Sequence, residues 1–438
     1  MGADIVLWML ALLITLIVMG VHIGIALALC SGLGVWLMIG SIEAAVSIMG
    51  NTAYEAVRKD VFAVIPLFVL MGDIISRSGA AGDLYRICDR GLKRLPGRLA
   101  IATIAGNTVF AAVTGVSIAA AAAFSRIAYP EMKKLGYKDT FSVGAVAGSA
   151  CLGMLIPPSI LLIVWAILTE MSVGALFIAG IIPGLVLALL FSGYVIAAAK
   201  LTPHVAPSSN QDLIVLAPEA RKQELIGGFG ILGLICLVIG GLWLGLFTPT
   251  EAAGFGAIGA IVIGVIKGMR RAELMDAILQ AGRTTAPIMF LLITAQMYSR
   301  LLALGGAVNY IQSIFLGLGA DPWVILMIMA LVWIILGMLV DSVSIILLTV
   351  PIFAPLAMAL GFNPIAFAIF GILVIEAGLL TPPFGLLVYT VKGALPDKNV
   401  SLGTIFKGSA PYFMLILFAA LIVIMIPSLA TWLPDVML

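Results

Sequence analysis

The chain has 438 residues, of which 63% are hydrophobic and only 10% are charged, and its mean hydropathy is +1.22. Soluble proteins carry about 25% charged residues, so this composition excludes a soluble globular domain and indicates a lipid bilayer. A net charge of +2 gives no basis for binding nucleic acid. Four cysteines without paired spacing and two distant histidines offer no disulfide framework and no zinc or haem ligands, so we expect no cofactor.

The N-terminal 60 residues are predicted to form scaffold spans. They contain two apolar segments, at about residues 5–20 and 23–39, that approach the roughly 20 residues needed to cross a bilayer. The first charge is Asp4 and no basic region precedes the first apolar segment, which argues against a cleaved signal peptide. The whole chain contains about ten to twelve such candidate spans.

Residues 61–200 are predicted to form a first repeat. Segment 99–125 is uncharged and has a Thr-Gly-Val-Ser centre, which favours a helical hairpin that enters and leaves the membrane on one side. A single span with a glycine kink remains the alternative. Segment 140–169 is also uncharged, is too long for one span and contains Pro157-Pro158, so it predicts a broken helix.

The second half follows the same plan. Residues 201–224 are polar and rich in proline and serine, which indicates a linker. Residues 225–284 are predicted to hold second scaffold spans and an amphipathic helix, with Thr250 as the N-cap of one helix. Residues 285–438 are predicted to form the second repeat, whose hairpin lies at 324–360 and whose broken helix lies at 365–391.

A constant offset of 225 residues relates the two halves (378 − 153 = 225). Gly-Met-Leu-Ile-Pro-Pro-Ser at 153–159 corresponds to Gly-Leu-Leu-Thr-Pro-Pro-Phe at 378–384, and Pro130 corresponds to Pro355. Paired prolines free backbone carbonyls, which is expensive in hydrocarbon unless the carbonyls face a cavity or an ion. Two breaks at matching places are typical of a transport site.

Polar groups near each break predict two unequal cation sites with a substrate anion between them. Asp341 is the sharpest signal, because a carboxylate at membrane depth costs about 2.5–3.5 kcal/mol; a snorkelling residue near a helix end is the alternative. Carboxylate, hydroxyl and carbonyl oxygens suit a hard cation such as Na⁺. The first site would use Thr114, Gly115, Ser117, Gly153 and Pro157. The second would use Asp341, Ser342, Ser344, Gly378 and Thr381. The substrate would lie against Ser117, Pro158, Ser159, Ser342 and Pro383.

Glu376 lies two residues before the second break, and its counterpart at the 225 offset is Cys151. This carboxyl group is therefore unpaired between the halves. The sequence favours a structural role at the unwound backbone and leaves a direct role in ion binding open.

Five stretches resemble the large membrane subunit of tripartite ATP-independent periplasmic (TRAP) transporters, within the ion transporter superfamily. They are residues 130–137 (PEMKKLGY), 153–159 (GMLIPPS), 176–184 (LFIAGIIPG), 245–253 (GLFTPTEAA) and 378–385 (GLLTPPFG). The first hairpin differs from the frequent Ser-Gly-Ser-Ser tip, since it reads Thr-Gly-Val-Ser, so backbone carbonyls are expected to contribute more at the first site.

The resemblance implies an all-α multi-pass protein of two structural repeats in a bacterial or archaeal inner membrane. It implies Na⁺ symport of an organic anion, a carboxylate or a sulfonate, by an elevator movement of the hairpins and broken helices against a scaffold. It also implies two partners, a small membrane subunit and a periplasmic substrate-binding protein. The runner-up is a stand-alone Na⁺/anion symporter that needs no binding protein.

Two other classes fit the sequence less well. An intramembrane aspartyl protease needs two membrane aspartates and only Asp341 qualifies, while a serine–histidine dyad has no Gly-x-Ser-x-Gly context. A passive channel would not need paired hairpins and breaks. The sequence therefore predicts a transporter and not an enzyme.

Overall fold

The computed structural model describes residues 2–206, 218–307 and 321–437, together with positions 310, 313 and 319. Within these residues every regular element is helical. The α-helices are Gly2–Val18, Ile23–Ile39, Ile42–Arg58, Val64–Arg77, Ala80–Gly91, Arg98–Thr114, Ser117–Lys134, Asp139–Ala150, Ile160–Thr169, Val173–Leu201, Pro218–Trp243, Pro249–Ile266, Arg271–Leu304, Pro322–Gly337, Ser342–Ala359, Pro364–Gly378, Leu386–Ala394, Leu402–Met425 and Ser428–Met437. Short 3-10 helices occupy Asp60–Ala63 and Cys151–Met154.

Several helices are long and apolar enough to cross a bilayer. In the described part of the chain there are six, and a pair bent by 67°, Asp60–Arg77 with Ala80–Gly91, brings the number to seven. The count is lower than the ten to twelve predicted spans because six further apolar helices in this part of the chain have only 10–17 residues; they include the two N-terminal helices and several pieces of the predicted hairpins and broken helices. The all-helical, multi-pass class is confirmed.

Two helix pairs fold back on themselves. Hairpin 1 consists of Arg98–Thr114 and Ser117–Lys134, and hairpin 2 consists of Pro322–Gly337 and Ser342–Ala359. In hairpin 1, Gly106 packs on the ring of Phe124, and both residues lie nine positions from Gly115. In hairpin 2, the Trp333 indole N–H donates to the Thr349 hydroxyl at 2.8 Å across a midpoint at residue 341. These contacts require that the two helices of each hairpin run antiparallel. A single span with a glycine kink would not bring these residues together.

Two spans are interrupted. Broken helix 1 consists of Asp139–Ala150 and Ile160–Thr169, and broken helix 2 consists of Pro364–Gly378 and Leu386–Ala394. Break 1 denotes residues 151–159, and break 2 denotes residues 379–385. Each break contains a proline pair, and the peptide bonds Pro157-Pro158 and Pro382-Pro383 are both cis.

The two hairpins enter from opposite sides. At the base of hairpin 1, Tyr129 donates a hydrogen bond to Asp139 at 2.8 Å, where broken helix 1 begins. The same base meets the far end of broken helix 2, because Lys133 donates to Asp397 at 2.5 Å. Hairpin 2 ends at Ala359, just before broken helix 2 begins at Pro364. Its base therefore lies at the opposite end of broken helix 2 from the base of hairpin 1, on the other face of the membrane.

Basic residues identify the two faces. Most of them lie at chain segments on the hairpin 1 side, whereas Lys59 and Arg300 lie on the other side. The members on the hairpin 1 side include Lys133, Lys134, Lys138, Lys200, Lys267, Arg270, Lys392 and Lys398. Cytoplasmic loops carry an excess of Lys and Arg, so this distribution predicts that hairpin 1 enters from the cytoplasmic side and hairpin 2 from the opposite side.

Two details of the second half differ from the sequence predictions. The N-cap of Pro249–Ile266 is Thr248, which forms a capping box with Glu251, so the prediction of Thr250 is wrong. Proline at the first helical position explains this register, since its missing N–H costs nothing there. Helix Arg271–Leu304 runs without interruption through the predicted boundary at 284/285. Residues 207–217 of the predicted linker lie outside the described residues.

Candidate functional site

The tip of hairpin 1 lies directly on break 1. Gly115 turns the chain with a φ of +62°, and a Cβ atom there would lie 2.5 Å from the Pro158 carbonyl oxygen. The Ile160 amide donates to the Gly115 carbonyl at 3.3 Å. A Cβ atom on Gly153 would lie 2.9 Å from the Ser117 amide nitrogen. Only glycine permits both approaches, so predicted first-site residues Gly115, Ser117 and Gly153 come together.

The hydroxyl groups around break 1 are largely engaged within their own segments. Thr114 donates to the Phe110 carbonyl at 3.0 Å, so it offers a cation only its lone pairs. Ser159 donates to the Met154 carbonyl and accepts a hydrogen bond from the Leu162 amide at 3.4 Å. Residues 151–160, which include Pro157, are all buried. The oxygens that this tip could present to a cation are therefore mostly backbone carbonyls.

Hairpin 2 makes the equivalent contact with broken helix 2. A Cβ atom on Gly337 would lie 2.7 Å from the Gly378 Cα atom, and the Gly385 amide donates to the Met338 carbonyl at 3.4 Å. Thr381, at the start of the break, donates its hydroxyl to the Gly378 carbonyl at 2.6 Å. The tip and the break thus pack backbone against backbone in both halves.

Asp341 is the N-cap of the second arm of hairpin 2. Both of its carboxyl oxygens accept from the Ser344 amide at 3.3 Å, and the side chain is half-buried. The negative group sits at the positive end of helix Ser342–Ala359, which stabilises its charge inside the membrane. The counterpart of Asp341 in hairpin 1 is Val116, and helix Ser117–Lys134 has no side-chain cap among the described residues.

Glu376 lies between the two tips. It is 1% exposed, and its Oε1 accepts a hydrogen bond from the Ser342 hydroxyl at 2.8 Å. The Ser117 hydroxyl lies beside the same carboxyl group. Cys151 donates its thiol to the Glu376 carbonyl at 3.7 Å. The sequence signal for this arrangement was available, because Ser117 and Ser342 share the 225 offset, but only the fold places one carboxyl group beside both.

The two breaks differ in exposure. Pro157, Pro158 and Ser159 are buried, whereas Pro382, Pro383 and Phe384 are exposed, and Phe384 is 55% accessible. Ser159 caps helix Ile160–Thr169, while helix Leu386–Ala394 starts after Gly385 and has no side-chain cap among the described residues. The predicted substrate residues are therefore split, with Pro158 and Ser159 inside the protein and Pro383 at an open surface.

The four helices that begin at a hairpin tip or after a break pack on each other as two pairs. The two helices without side-chain caps, Ser117–Lys134 and Leu386–Ala394, pack on each other. The two helices with capped N-termini, Ile160–Thr169 and Ser342–Ala359, also pack on each other. Free amides at a helix N-terminus attract anions, so the pair without caps provides the stronger attraction for a negative ligand.

A polar cluster at the base of hairpin 1 joins the two repeats. Lys133 donates to Asp397 at 2.5 Å and to Asp139 at 3.2 Å. Hydrogen bonds from Lys133 and from the Asn399 amide hold the pKa of the Asp397 carboxyl below its usual value. Sequence reasoning missed this cluster, because Lys133 and Asp397 are 264 positions apart in the chain and carry no shared motif.

This architecture, with two opposed hairpins that meet two broken helices inside an all-helical membrane protein, defines a secondary membrane transporter. The chain matches the model of the "Tripartite ATP-independent periplasmic transporter, DctM component" over residues 10–429, and it belongs to that family. It is therefore a multi-pass permease subunit of the inner membrane and not an enzyme, which confirms the resemblance found in the sequence.

Two relatives illustrate the family. The chain is 34% identical over 386 residues to the C4-dicarboxylate TRAP transporter large permease protein of Pseudomonas aeruginosa, covering 87% of this chain and 88% of that protein. It is 28% identical over 436 residues to the ectoine TRAP transporter large permease protein of Halomonas elongata, with 98% of each chain covered.

One solved structure has the same general fold. The crystal structure of the YdaH transporter of Alcanivorax borkumensis matches with a TM-score of 0.63, covering 91% of this chain and 90% of that one. Its sequence identity is 14%, so the likeness concerns the fold alone.

Proposed function

We propose that this permease imports an organic anion by Na⁺ symport, and that a periplasmic binding protein delivers the substrate. The observation that carries the proposal is the contact of each hairpin tip with its break, where backbone carbonyls and the Asp341 carboxylate gather at membrane depth. A tripartite system also contains a small membrane subunit, which would be the second partner.

The two tips would each hold one Na⁺ ion. At the first, unwound carbonyls near Gly115 and Gly153 supply hard oxygens, with lone pairs of Thr114 in support. At the second, Asp341 adds a negative charge, and Thr381 and Gly378 add oxygen atoms. Hard oxygen sets of this kind suit a small cation without redox chemistry. The carboxylate makes the second site the tighter of the two.

The substrate would bind at the helix N-termini that lack caps. Ser117 and Leu386 begin neighbouring helices without a side-chain cap among the described residues, and Pro383 and Phe384, shortly before Leu386, are exposed. Their dipoles favour a carboxylate or a sulfonate group. Pro158 and Ser159 would support this surface from behind, since both are buried.

An elevator movement would carry the site across the membrane. The hairpins and broken helices form one body, because the rings of Trp165, Trp333 and Phe367 pack together from both repeats at centroid distances of 5.5–6.1 Å. Contacts from this body to the neighbouring helices include polar ones, such as Gln296 donating to the Ile167 carbonyl at 3.2 Å. A body with its own aromatic core can move as a rigid unit.

The relatives carry substrate names as different as C4-dicarboxylate and ectoine. Both classes contain a carboxylate, which agrees with an anion site made of backbone amides. The individual substrate would be selected largely by the binding protein, because backbone amides recognise a charged group and not the rest of the molecule.

The test is uptake into proteoliposomes that contain this chain and its small subunit, with the binding protein added outside. We expect uptake to need a Na⁺ gradient and to stop in choline buffer. Equal uptake in both buffers would refute Na⁺ symport, and equal uptake without the binding protein would favour the stand-alone symporter instead.

A matched pair of variants tests the second cation site. Asp341→Asn keeps the N-cap but removes the charge, so the half-saturating Na⁺ concentration should rise about tenfold or more, equivalent to about 1.4 kcal/mol. Asp321→Asn is the control, because Asp321 caps the first arm of the same hairpin by accepting from the Trp323 amide at 2.8 Å. Similar effects of both variants would contradict the site.

A further inference from the structure

Glu376 occupies the pseudo-twofold axis that relates the two repeats. Its counterpart at the 225 offset is Cys151, and the two residues touch through the Cys151 thiol and the Glu376 carbonyl at 3.7 Å. Equivalent positions of two repeats meet only on the axis that exchanges them. Glu376 is therefore a single carboxyl group at a place where the symmetry of the chain would allow two.

The hydroxyl groups of Ser117 and Ser342 flank this carboxyl group. Each serine starts the second arm of its hairpin, directly at the tip, and the two are related by the same offset. Ser342 donates to Glu376 Oε1 at 2.8 Å. Glu376 Oε2 and Ser117 Oγ are both buried, and within the described part of the chain neither makes a hydrogen bond of normal geometry, although the Ser117 hydroxyl lies close enough to the carboxyl group to interact with it. One link is therefore formed and the other is incomplete.

A carboxyl group with a purely structural role would not leave its second oxygen, Oε2, without a partner. Burying a polar atom without a partner destabilises the folded state, and a chain can avoid that cost with a smaller residue. The first repeat does so, because it carries Cys151 at this place. The open acceptor beside an open donor is the arrangement expected of a link that forms in another state of the site.

We propose that Glu376 is a positioning residue that couples the two cation sites by holding the hairpin tips through one carboxyl group. This inference rests on the proposed Na⁺ sites. A cation that orders the first tip would bring Ser117 onto Oε2, and the carboxyl group, fixed at both oxygens, would hold Ser342 and the second tip in the binding geometry. By reciprocity, a cation at the second site favours the first site equally.

The experiment measures Na⁺ binding to the purified permease with its small subunit in nanodiscs. Unfolding temperature is followed as NaCl replaces KCl at constant ionic strength, and ²²Na⁺ binding counts the ions at saturation. The wild type should show a Hill coefficient clearly above 1 and below 2, the limit for two coupled sites. Glu376→Gln can still bond both serines, because its amide nitrogen can donate to the Ser117 oxygen. Glu376→Leu, whose side chain has no hydrogen-bonding atom, should bind the same number of ions with a Hill coefficient near 1. An unchanged Hill coefficient in this variant would overturn the proposal.

A double-mutant cycle provides an independent test that does not need a stable Glu376 variant. Ser117→Ala and Ser342→Ala should each weaken Na⁺ binding, and the double variant should lose about tenfold less than the product of the single losses, because either change already breaks the link. Independent effects that multiply would contradict the proposal. Ser125→Ala is the control, since this buried serine of hairpin 1 donates only within its own helix, to Ala121 at 2.7 Å, and should leave binding unchanged.

The failure of the underlying function is recognisable separately. A wild-type protein whose unfolding temperature and ²²Na⁺ binding do not respond to NaCl would refute the Na⁺ sites themselves. A wild type that binds Na⁺ with a Hill coefficient near 1 would leave Na⁺ symport intact and refute the coupling.

Discussion

Break 1 and break 2 share a cis proline pair, a preceding glycine and a hairpin tip on top, yet one is buried and the other is open. One pair of corresponding residues shows the contrast. Ser159 caps helix Ile160–Thr169 from inside the protein, whereas its counterpart Phe384 carries no hydrogen-bonding group and lies 55% exposed. The same backbone plan therefore produces a closed, carbonyl-lined face in one half and an accessible surface in the other.

The side-chain caps at the hairpin tips are distributed the other way, with the capped tip in the second half. Asp341 caps hairpin 2, while Val116 leaves hairpin 1 without a side-chain cap among the described residues. The repeats are thus complementary, since each half supplies one capped and one uncapped N-terminus, and the fold brings like ends together. Two repeats with the same backbone can therefore form a site whose two ends differ, because only their side-chain caps differ.

The largest expected effect comes from making the two tips alike. Val116→Asp would place a carboxylate at the N-terminus of helix Ser117–Lys134, where it would occupy the free amides and repel an anion. We expect an about 100-fold loss in apparent substrate affinity, equivalent to about 2.7 kcal/mol, measured by uptake over a range of substrate concentrations.

Val116→Asn separates the two causes, because asparagine caps a helix without adding charge. Its loss should be clearly smaller than that of Val116→Asp. Unchanged uptake in both variants would show that the substrate does not bind at this N-terminus.

A smaller effect is expected from separating tip 1 and break 1. Gly115→Ala adds a Cβ atom 2.5 Å from the Pro158 carbonyl oxygen and places alanine at a φ of +62°. A left-handed alanine destabilises the fold by about 1–2 kcal/mol. The clash in addition pushes tip 1 away from break 1, so Na⁺ affinity should fall roughly tenfold. The apparent Na⁺ affinity is measured from uptake over a range of Na⁺ concentrations.

Gly20→Ala is the matched control for backbone strain. Gly20 has a φ of +84° and no neighbour within 4 Å of the added Cβ atom. It should lower the unfolding temperature without changing the Na⁺ dependence. If both variants shift Na⁺ affinity alike, the contact between Gly115 and break 1 is not part of a cation site.

The smallest effect concerns the far end of broken helix 2, where Lys133 holds Asp397. The folded pKa of Asp397 is depressed, so its contribution to stability is present above the unfolded pKa of about 3.9 and is lost as pH falls through the folded pKa. Asp397→Asn should therefore lower the unfolding temperature slightly between pH 5 and 8, and the difference from the wild type should disappear in more acidic buffer.

Glu131→Gln is the control for this measurement. Glu131 pairs with Lys134 at 2.8 Å on the exposed surface of the same hairpin base, and such pairs contribute little. A loss as large as that of Asp397→Asn would show that any charge removed from this base has the same effect, and would remove the special role of the link between the repeats.

The hairpins and breaks were predictable because proline and glycine act locally. Pro157-Pro158 and Pro382-Pro383 stop a helix wherever they occur, and an uncharged segment with a Thr-Gly-Val-Ser centre favours a tip. The family was equally accessible from motifs and is confirmed. The N-cap at Thr248 was mispredicted by two residues, since several polar residues compete there and only the helix register chooses among them.

The sequence by itself determined that this protein lies in a membrane, contains two interrupted repeats and belongs to the TRAP permeases, because hydropathy and helix-breaking residues act over a few neighbours. Only the tertiary structure decided that Glu376 lies beside Ser117 and Ser342 and that the two helices without side-chain caps pack on each other. Those arrangements depend on how segments more than 200 residues apart pack across the axis of the repeats, which local sequence does not encode.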